Sequence, residues 1–181
     1  MNTGGMVIKS NPAPERRGII SNGVNEGMMK IMNYLKEEWV IPDLQGTDKR
    51  SILRELSSLL VKPCQVASTE ELLQVLLDRE KLGSTGIGEG IAIPHGRLKR
   101  LKKFLISFGR SIKGVDFDSI DRNPSRLFFL VMAPENSAVD NLKLLSRIVT
   151  LLKDASFKKR LLEASSQKEL FKIISEEDEK Y

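Results

Sequence analysis

One histidine, His95, occurs in the whole chain, and it sits near the end of a glycine-rich stretch, residues 83–97, GSTGIGEGIAIPHGR. An imidazole with an ordinary pKa of about 6.5 is mostly neutral above pH 7, so it can act as a nucleophile without an activating base. Pro94 fixes φ just before it, and Gly96, lacking a side chain, is expected to let another protein's backbone approach the ring. The same stretch excludes other chemistries. A nucleotide-binding P-loop needs Lys and then Ser or Thr after its last glycine, but Gly88 is followed by Glu89 and Gly90. Gly86, Gly88, Gly90 and Gly96 do not have the G-x-G-x-x-G spacing of a dinucleotide site. No G-x-S-x-G elbow is present, and a single histidine rules out H-E-x-x-H zinc chemistry. What remains is a His that either carries a group as a displayed nucleophile or is a hydrogen-bonded structural residue.

The elements that must hold this segment are partly legible. Ile52, Leu53, Leu56, Leu59 and Leu60 recur at helical spacing, with Thr47 as the expected N-cap. A second helix is predicted from Ser68, where Ser68 and Glu71 have capping-box spacing; it carries Leu72, Leu73, Val75, Leu76 and Leu77 and ends before Gly83, with Arg79 in its last turn. Strands are predicted at 91–93, at 104–108 and at 127–132, the last apolar throughout and therefore central. A helix with Val139, Leu142, Leu145, Val149 and Leu152 on its inner face follows. Ser166 and Glu169 then open a final one with Leu170, Phe171, Ile173 and Ile174. Helices before and after the strands predict a layered α/β domain, a mixed β-sheet with α-helices on both sides.

Composition narrows the class. The chain has 181 residues, enough for one domain with a core, expected over 31–181, behind a flexible extension or added leader at 1–30 that is rich in Asn, Gly, Ser and Pro. The 29 basic and 24 acidic residues are too balanced to call for nucleic acid, and no helix-turn-helix or aromatic RNA-binding signature is present. Five of the seven residues 97–103 are basic, which reads either as a solvated face or as an anion-attracting patch beside His95; Glu176–Glu179 read as an acidic tail. No apolar run reaches the roughly 18 residues of a membrane span, and MNTGGMVIKSNPAPERR has no signal-peptide core, so no membrane insertion and a cytoplasmic location are expected. The lone Cys64 excludes an internal disulfide and a cysteine metal cluster and is expected to be a small buried hydrophobe.

The string from Ser84 to Arg97, STGIGEGIAIPHGR, closely resembles the phosphorylation-site signature of the fructose/mannitol-type (type 2) IIA domains of the bacterial phosphotransferase system, the PTS. The likeness extends through Leu76–Glu80, Gly114–Asp118 and Leu127–Pro134, and spans residues 32 to 175. It implies a single α/β domain and a phosphotransferase role in which His95 takes a phosphoryl group from a small phosphocarrier protein. The group then passes to a IIB cysteine or serves as a regulatory signal. It implies no dissociable cofactor and no metal. Arg79 matches the family's active-site arginine, able to pair with phosphate oxygens through parallel hydrogen bonds. Ser84 and Thr85 could add hydroxyl donors and the loop amides could add to the anion site, although a turn-stabilising role suits either hydroxyl equally well. Asn141 stands where many family members have a second histidine, so a neutral amide replaces a titratable group. As a stand-alone IIA-sized unit the chain resembles the nitrogen-regulatory branch, for either sugar transport or nitrogen regulation. The alternative is a protein-interaction module that docks on kinases, transporters or regulators and is switched by phosphorylation of His95.

Overall fold

The apolar run around Leu127–Met132 forms the middle of a strand, and the rest of the architecture follows from what pairs with it. The structure, a computed structural model, describes Met1 and residues 29–181. The expected extension at 1–30 therefore falls almost wholly outside the described residues. In chain order, a 3-10 turn Ile31–Asn33 leads into β1 (Leu35–Ile41), α1 (Lys49–Ser58), the four-residue α2 (Val61–Cys64) and α3 (Thr69–Glu80). There follow β2 (Gly86–Gly88), β3 (Ile91–Ala92), β4 (His95–Leu98), β5 (Leu105–Val115) and β6 (Ser125–Pro134), then α4 (Ala138–Leu152), α5 (Ala155–Glu163) and α6 (Gln167–Glu179).

The six-stranded sheet has the order β1-β5-β6-β3-β2, with β4 pairing β6 beyond the end of β3. β6 is antiparallel to β5 and parallel to both β3 and β4, and β1 is parallel to β5, so the sheet is mixed, as expected. Helices cover both faces. Along β5 side chains alternate: the Cα of Gly109 faces Leu44 and Leu56 of the α1 layer, close enough that a Cβ would sit 2.7 Å from Leu44. Its neighbour Arg110 points the other way and donates to Pro42, Leu161, Leu162 and Ala164 carbonyls. Three of those belong to the end of α5, whose carbonyls would otherwise lack partners. Among the described residues no helix is long and apolar enough to cross a membrane.

Local signals place the helix starts well. Ser68 and Ser166 accept from the amides of Glu71 and Glu169, as their spacing predicts. In α1 the cap is Asp48 rather than Thr47, because Asp48 and Ser51 exchange bonds reciprocally. The inner face of α4 also differs from expectation. Of the expected stripe, Leu152 is buried and Leu145 and Val149 pack partly buried against the core, but Val139 and Leu142 are 68% and 66% exposed, and Asn141, Leu144, Ile148 and Leu151 are buried in addition. Both sets satisfy helical spacing, and only packing against the sheet chooses between them. Nor are Glu176–Glu179 a free acidic tail. They complete α6, where Asp178 is wholly buried, bonded to Arg147 Nε at 2.7 Å and to the Met32 amide at 3.0 Å, so the last helix holds the first described turn. β1 gave no periodic signal because it is an edge strand with charged residues at three successive positions, Lys36, Glu37 and Glu38.

Candidate active site

His95 begins β4, directly opposite Val131 of the central strand, and is partly buried. Its two ring nitrogens have different partners. Nδ1 lies 2.9 Å from the Ile93 carbonyl, and Nε2 lies 3.1 Å from Nε of Arg79. A carbonyl can only accept and a guanidinium N–H can only donate, so the proton sits on Nδ1 and Nε2 presents its lone pair. Burial pushes the pKa of His95 below its ordinary value; the Ile93 hydrogen bond and the Glu80 carboxylate pull it up, and the Arg79 and Arg97 cations pull it down further. The ring is therefore neutral at pH 7, with Nε2 unprotonated and hydrogen-bonded to Arg79.

Arg79 occupies the last turn of α3, where the helix dipole favours a cation, and its Nη1 donates to the Gly83 carbonyl at 3.0 Å. Arg79, which the family resemblance implies as a phosphate-binding residue, stands beside His95 in the fold. Ser84 and Thr85 are directed elsewhere. The Ser84 hydroxyl donates to the Phe117 carbonyl at 2.8 Å and accepts from the Gly86 amide at 3.1 Å. The Thr85 hydroxyl donates to Glu80, as does its amide at 3.2 Å. Both hydroxyls thus brace the loop in this state. Nor do the glycines form an anion cradle: Gly88, Glu89 and Gly90 take positive φ to turn the β2–β3 hairpin, and the Glu89 amide donates to Asp121 at 2.8 Å. Gly96 serves internal packing rather than a partner's approach, since a Cβ there would lie 2.8 Å from Val75 of α3.

Asn141 lies in the first turn of α4, just after β6, and is 6% exposed. Its Oδ1 has no hydrogen-bond partner among the described residues, and no hydrogen bond joins it to His95. Three residues not singled out from sequence complete the surroundings. Glu80, its side chain 6% exposed, accepts from Lys49 Nζ at 3.1 Å, and Lys49 also reaches Asp118 at 2.8 Å. Glu80 stood within the recognisable Leu76–Glu80 stretch, but nothing local links it to residues 31 and 38 positions away.

The basic run divides. Arg97 stays near His95, whereas Arg100 bonds Glu71 and the Gln65 carbonyl at the other end of α3. Lys102 and Lys103 join Lys62 in grooves walled by Pro63, Gln65 and Leu105. The run is not a patch beside His95. Cys64 is buried, with its thiol pushed up to about 12 by burial, which makes it inert at neutral pH.

Comparison with known proteins places the chain in a family. Residues 33–177 match the family described as phosphoenolpyruvate-dependent sugar phosphotransferase system, EIIA 2. A nitrogen regulatory protein of Bradyrhizobium diazoefficiens is 36% identical over 149 residues, covering 81% of this chain and 95% of the relative. The fructose-specific EIIABC component of Bacillus subtilis is also 36% identical, over 83% of this chain, which spans only 24% of that longer protein. Among solved structures, the Escherichia coli mannitol IIA enzyme in complex with phosphorylated mannitol IIB superposes with a TM-score of 0.67 at 28% identity, over 78% of this chain and 97% of the other. A match over four fifths of the chain, joined to a sheet that places a lone histidine against an arginine, leads to one conclusion: the chain belongs to the EIIA 2 family of the phosphoenolpyruvate-dependent sugar phosphotransferase system.

Proposed function

We propose that Nε2 of His95 accepts a phosphoryl group from a phosphocarrier protein in the cytoplasm and passes it to a IIB partner or holds it as a regulatory signal. The observation that carries this is the pair of hydrogen bonds on the ring, which leaves Nε2 unprotonated and aimed at a guanidinium. In the transfer, the Nε2 lone pair forms the new N–P bond while the bond from phosphorus to the donor breaks and its electron pair leaves with the donor. The Nδ1 proton stays on the ring, held by the Ile93 carbonyl, so the product is an imidazolium carrying a phosphoryl dianion. That cationic ring is a good leaving group, which suits onward transfer. Arg79 must give up Nε2 and turn its N–H groups to the phosphoryl oxygens, where charge-assisted bonds are stronger than the one it leaves. Ser84 and Thr85, already bonded within the loop, supply its shape rather than direct phosphate contacts.

Exposed apolar side chains suit transient docking of protein partners: Leu82, three residues beyond Arg79, and Val139 and Leu142, flanking Asn141. The regulatory reading draws on the nitrogen regulatory relative, which is of nearly the same length as this chain's matched region. The transport reading draws on the fructose and mannitol proteins. The test is to incubate the protein with phosphoenolpyruvate, the general PTS phosphotransferase and a phosphocarrier, then map any acid-labile mass increase. An added phosphoryl on His95 Nε2, dischargeable to a IIB domain, is expected. No uptake, or uptake on another residue, overturns the proposal, and stable uptake without discharge to any IIB domain favours the regulatory branch.

A further inference from the structure

Behind the His95–Arg79 pair lies a charged, nearly buried cluster that takes no part in the transfer itself. Glu80 accepts four bonds: from the amide of Thr85 with both carboxylate oxygens, from the Thr85 hydroxyl, and from Lys49 Nζ. A buried carboxylate is stable only when paired and hydrogen-bonded, so these bonds make its position well defined. Two short paths lead from this clamp to the site. One is through the loop: pinning Thr85 to Glu80 closes the turn after α3 and sets the Gly83 carbonyl, which accepts from Arg79 Nη1 at 3.0 Å. The other is through the strand: the Thr85 carbonyl accepts from the Ile93 amide at 2.9 Å, and the Ile93 carbonyl in turn accepts from His95 Nδ1.

We propose that Glu80, charge-balanced by Lys49, is the positioning residue of the phosphoryl site, holding Arg79 and the reactive tautomer of His95 in register through the single residue Thr85. This rests on the reading of His95 as phosphoryl acceptor, and it gives Thr85 a different task from phosphate binding. Lys49 has a separate part. An uncompensated carboxylate near His95 would both favour the protonated, non-nucleophilic ring and repel the incoming phosphoryl dianion. With its ammonium 3.1 Å from Glu80 and also bonded to Asp118, Lys49 holds that field down. The other charges facing the ring are Arg79 on α3 and Arg97 on β4, both cations.

The test uses the full chain and reads His95 by nitrogen NMR of the imidazole, which reports tautomer and titration without any phosphotransfer, together with the rate of phosphoryl uptake and a melting curve. Thr85→Val and Glu80→Ala are expected to turn the single Nδ1–H tautomer into a mixture and to slow uptake at least tenfold, while Thr85→Ser keeps the wild-type spectrum and rate. Lys49→Met is expected to raise the titration midpoint of His95 and slow uptake, and the double change Lys49→Met with Glu80→Gln, which removes both charges but keeps an acceptor for Thr85, is expected to restore the midpoint. A purely structural cluster would lower the melting temperature in these variants and leave the tautomer of the folded protein unmoved; that result overturns the proposal, as does a wild-type rate in folded Thr85→Val. Because Thr85→Val removes only one hydroxyl, it tests the idea even if Glu80→Ala does not fold. Failure of the wild type to take up phosphate would count against the acceptor role alone, since the NMR arm is independent of it.

Discussion

The two ends of α3 carry charge in opposite ways. At its C-terminal end the charges closest to His95 on α3 and α1 are engaged: Arg79 with His95 and Gly83, Glu80 with Thr85 and Lys49, Lys49 with Asp118. The N-terminal end lies about 18 Å away along the 12-residue helix. There Arg100 pairs with Glu71, while Lys62, Lys102 and Lys103 have no acidic partner within 4.0 Å among the described residues. Solvated lysines are screened within about a Debye length of 8 Å and pay side-chain entropy to engage a ligand. A guanidinium already held in place and half desolvated does not. The lesson is that an anion site is made by pre-organisation and low dielectric, not by the number of cations in a run.

The comparison is most severely tested by His95→Ala. Phosphoryl uptake should vanish, and the melting temperature should change little because the ring is partly exposed at the start of a short strand. Acid-labile phosphate persisting on the folded mutant would break the comparison outright, since no other histidine exists. Arg79→Ala comes next. Losing a charge-assisted contact to the phosphoryl oxygens, worth about 1.5–3 kcal/mol, should slow uptake by about 10- to 150-fold, measured in single-turnover phosphotransfer. An unchanged rate would mean the guanidinium serves only to hold the loop.

Asn141→His should have a smaller effect. A cationic imidazole in place of a neutral amide should favour the phosphorylated state by about 1 kcal/mol, close to fivefold, if residue 141 senses the phosphoryl group. The sign follows from protonation: the added histidine is charged below its pKa, so the gain is present at about pH 6.5 and fades by about pH 8.5. Equilibrium against a common phosphocarrier at the two pH values measures it. The unpartnered Oδ1 of Asn141 makes this position a natural one to sharpen, because a buried acceptor without a donor is costly as it stands. The smallest effect is expected at the other end of α3: Lys102→Ala with Lys103→Ala should alter the uptake rate less than twofold at physiological salt, as should Cys64→Ser, whose thiol is buried and protonated. A large loss from the lysine pair would mean that long-range attraction, not local order, governs the site.

Legibility followed the same division between local and assembled features. Helix caps at Ser68 and Ser166 were readable because a hydroxyl and an amide three residues apart find each other in any helix start. The central strand was readable because burial on both faces demands an unbroken apolar run. The inner face of α4 was not, because two stripes of similar spacing competed and the sheet decided. The same holds for Asp178, whose partners Met32 and Arg147 are 146 and 31 residues away.

By itself the sequence singled out the proposed phosphoryl acceptor: a single histidine, at the end of a glycine-rich segment that excludes nucleotide, dinucleotide and zinc chemistry, with an arginine at the end of the preceding helix. Only the tertiary structure decided which nitrogen is unprotonated, which cations stand near it and what holds them. The reason is physical. A ring's tautomer is set by its two hydrogen-bond partners, and one of these, Arg79, arrives from another element. The charge balance of the buried Glu80 with Lys49 and the exposed Asp118 exists only once α1, α3 and the loop before β6 have packed together.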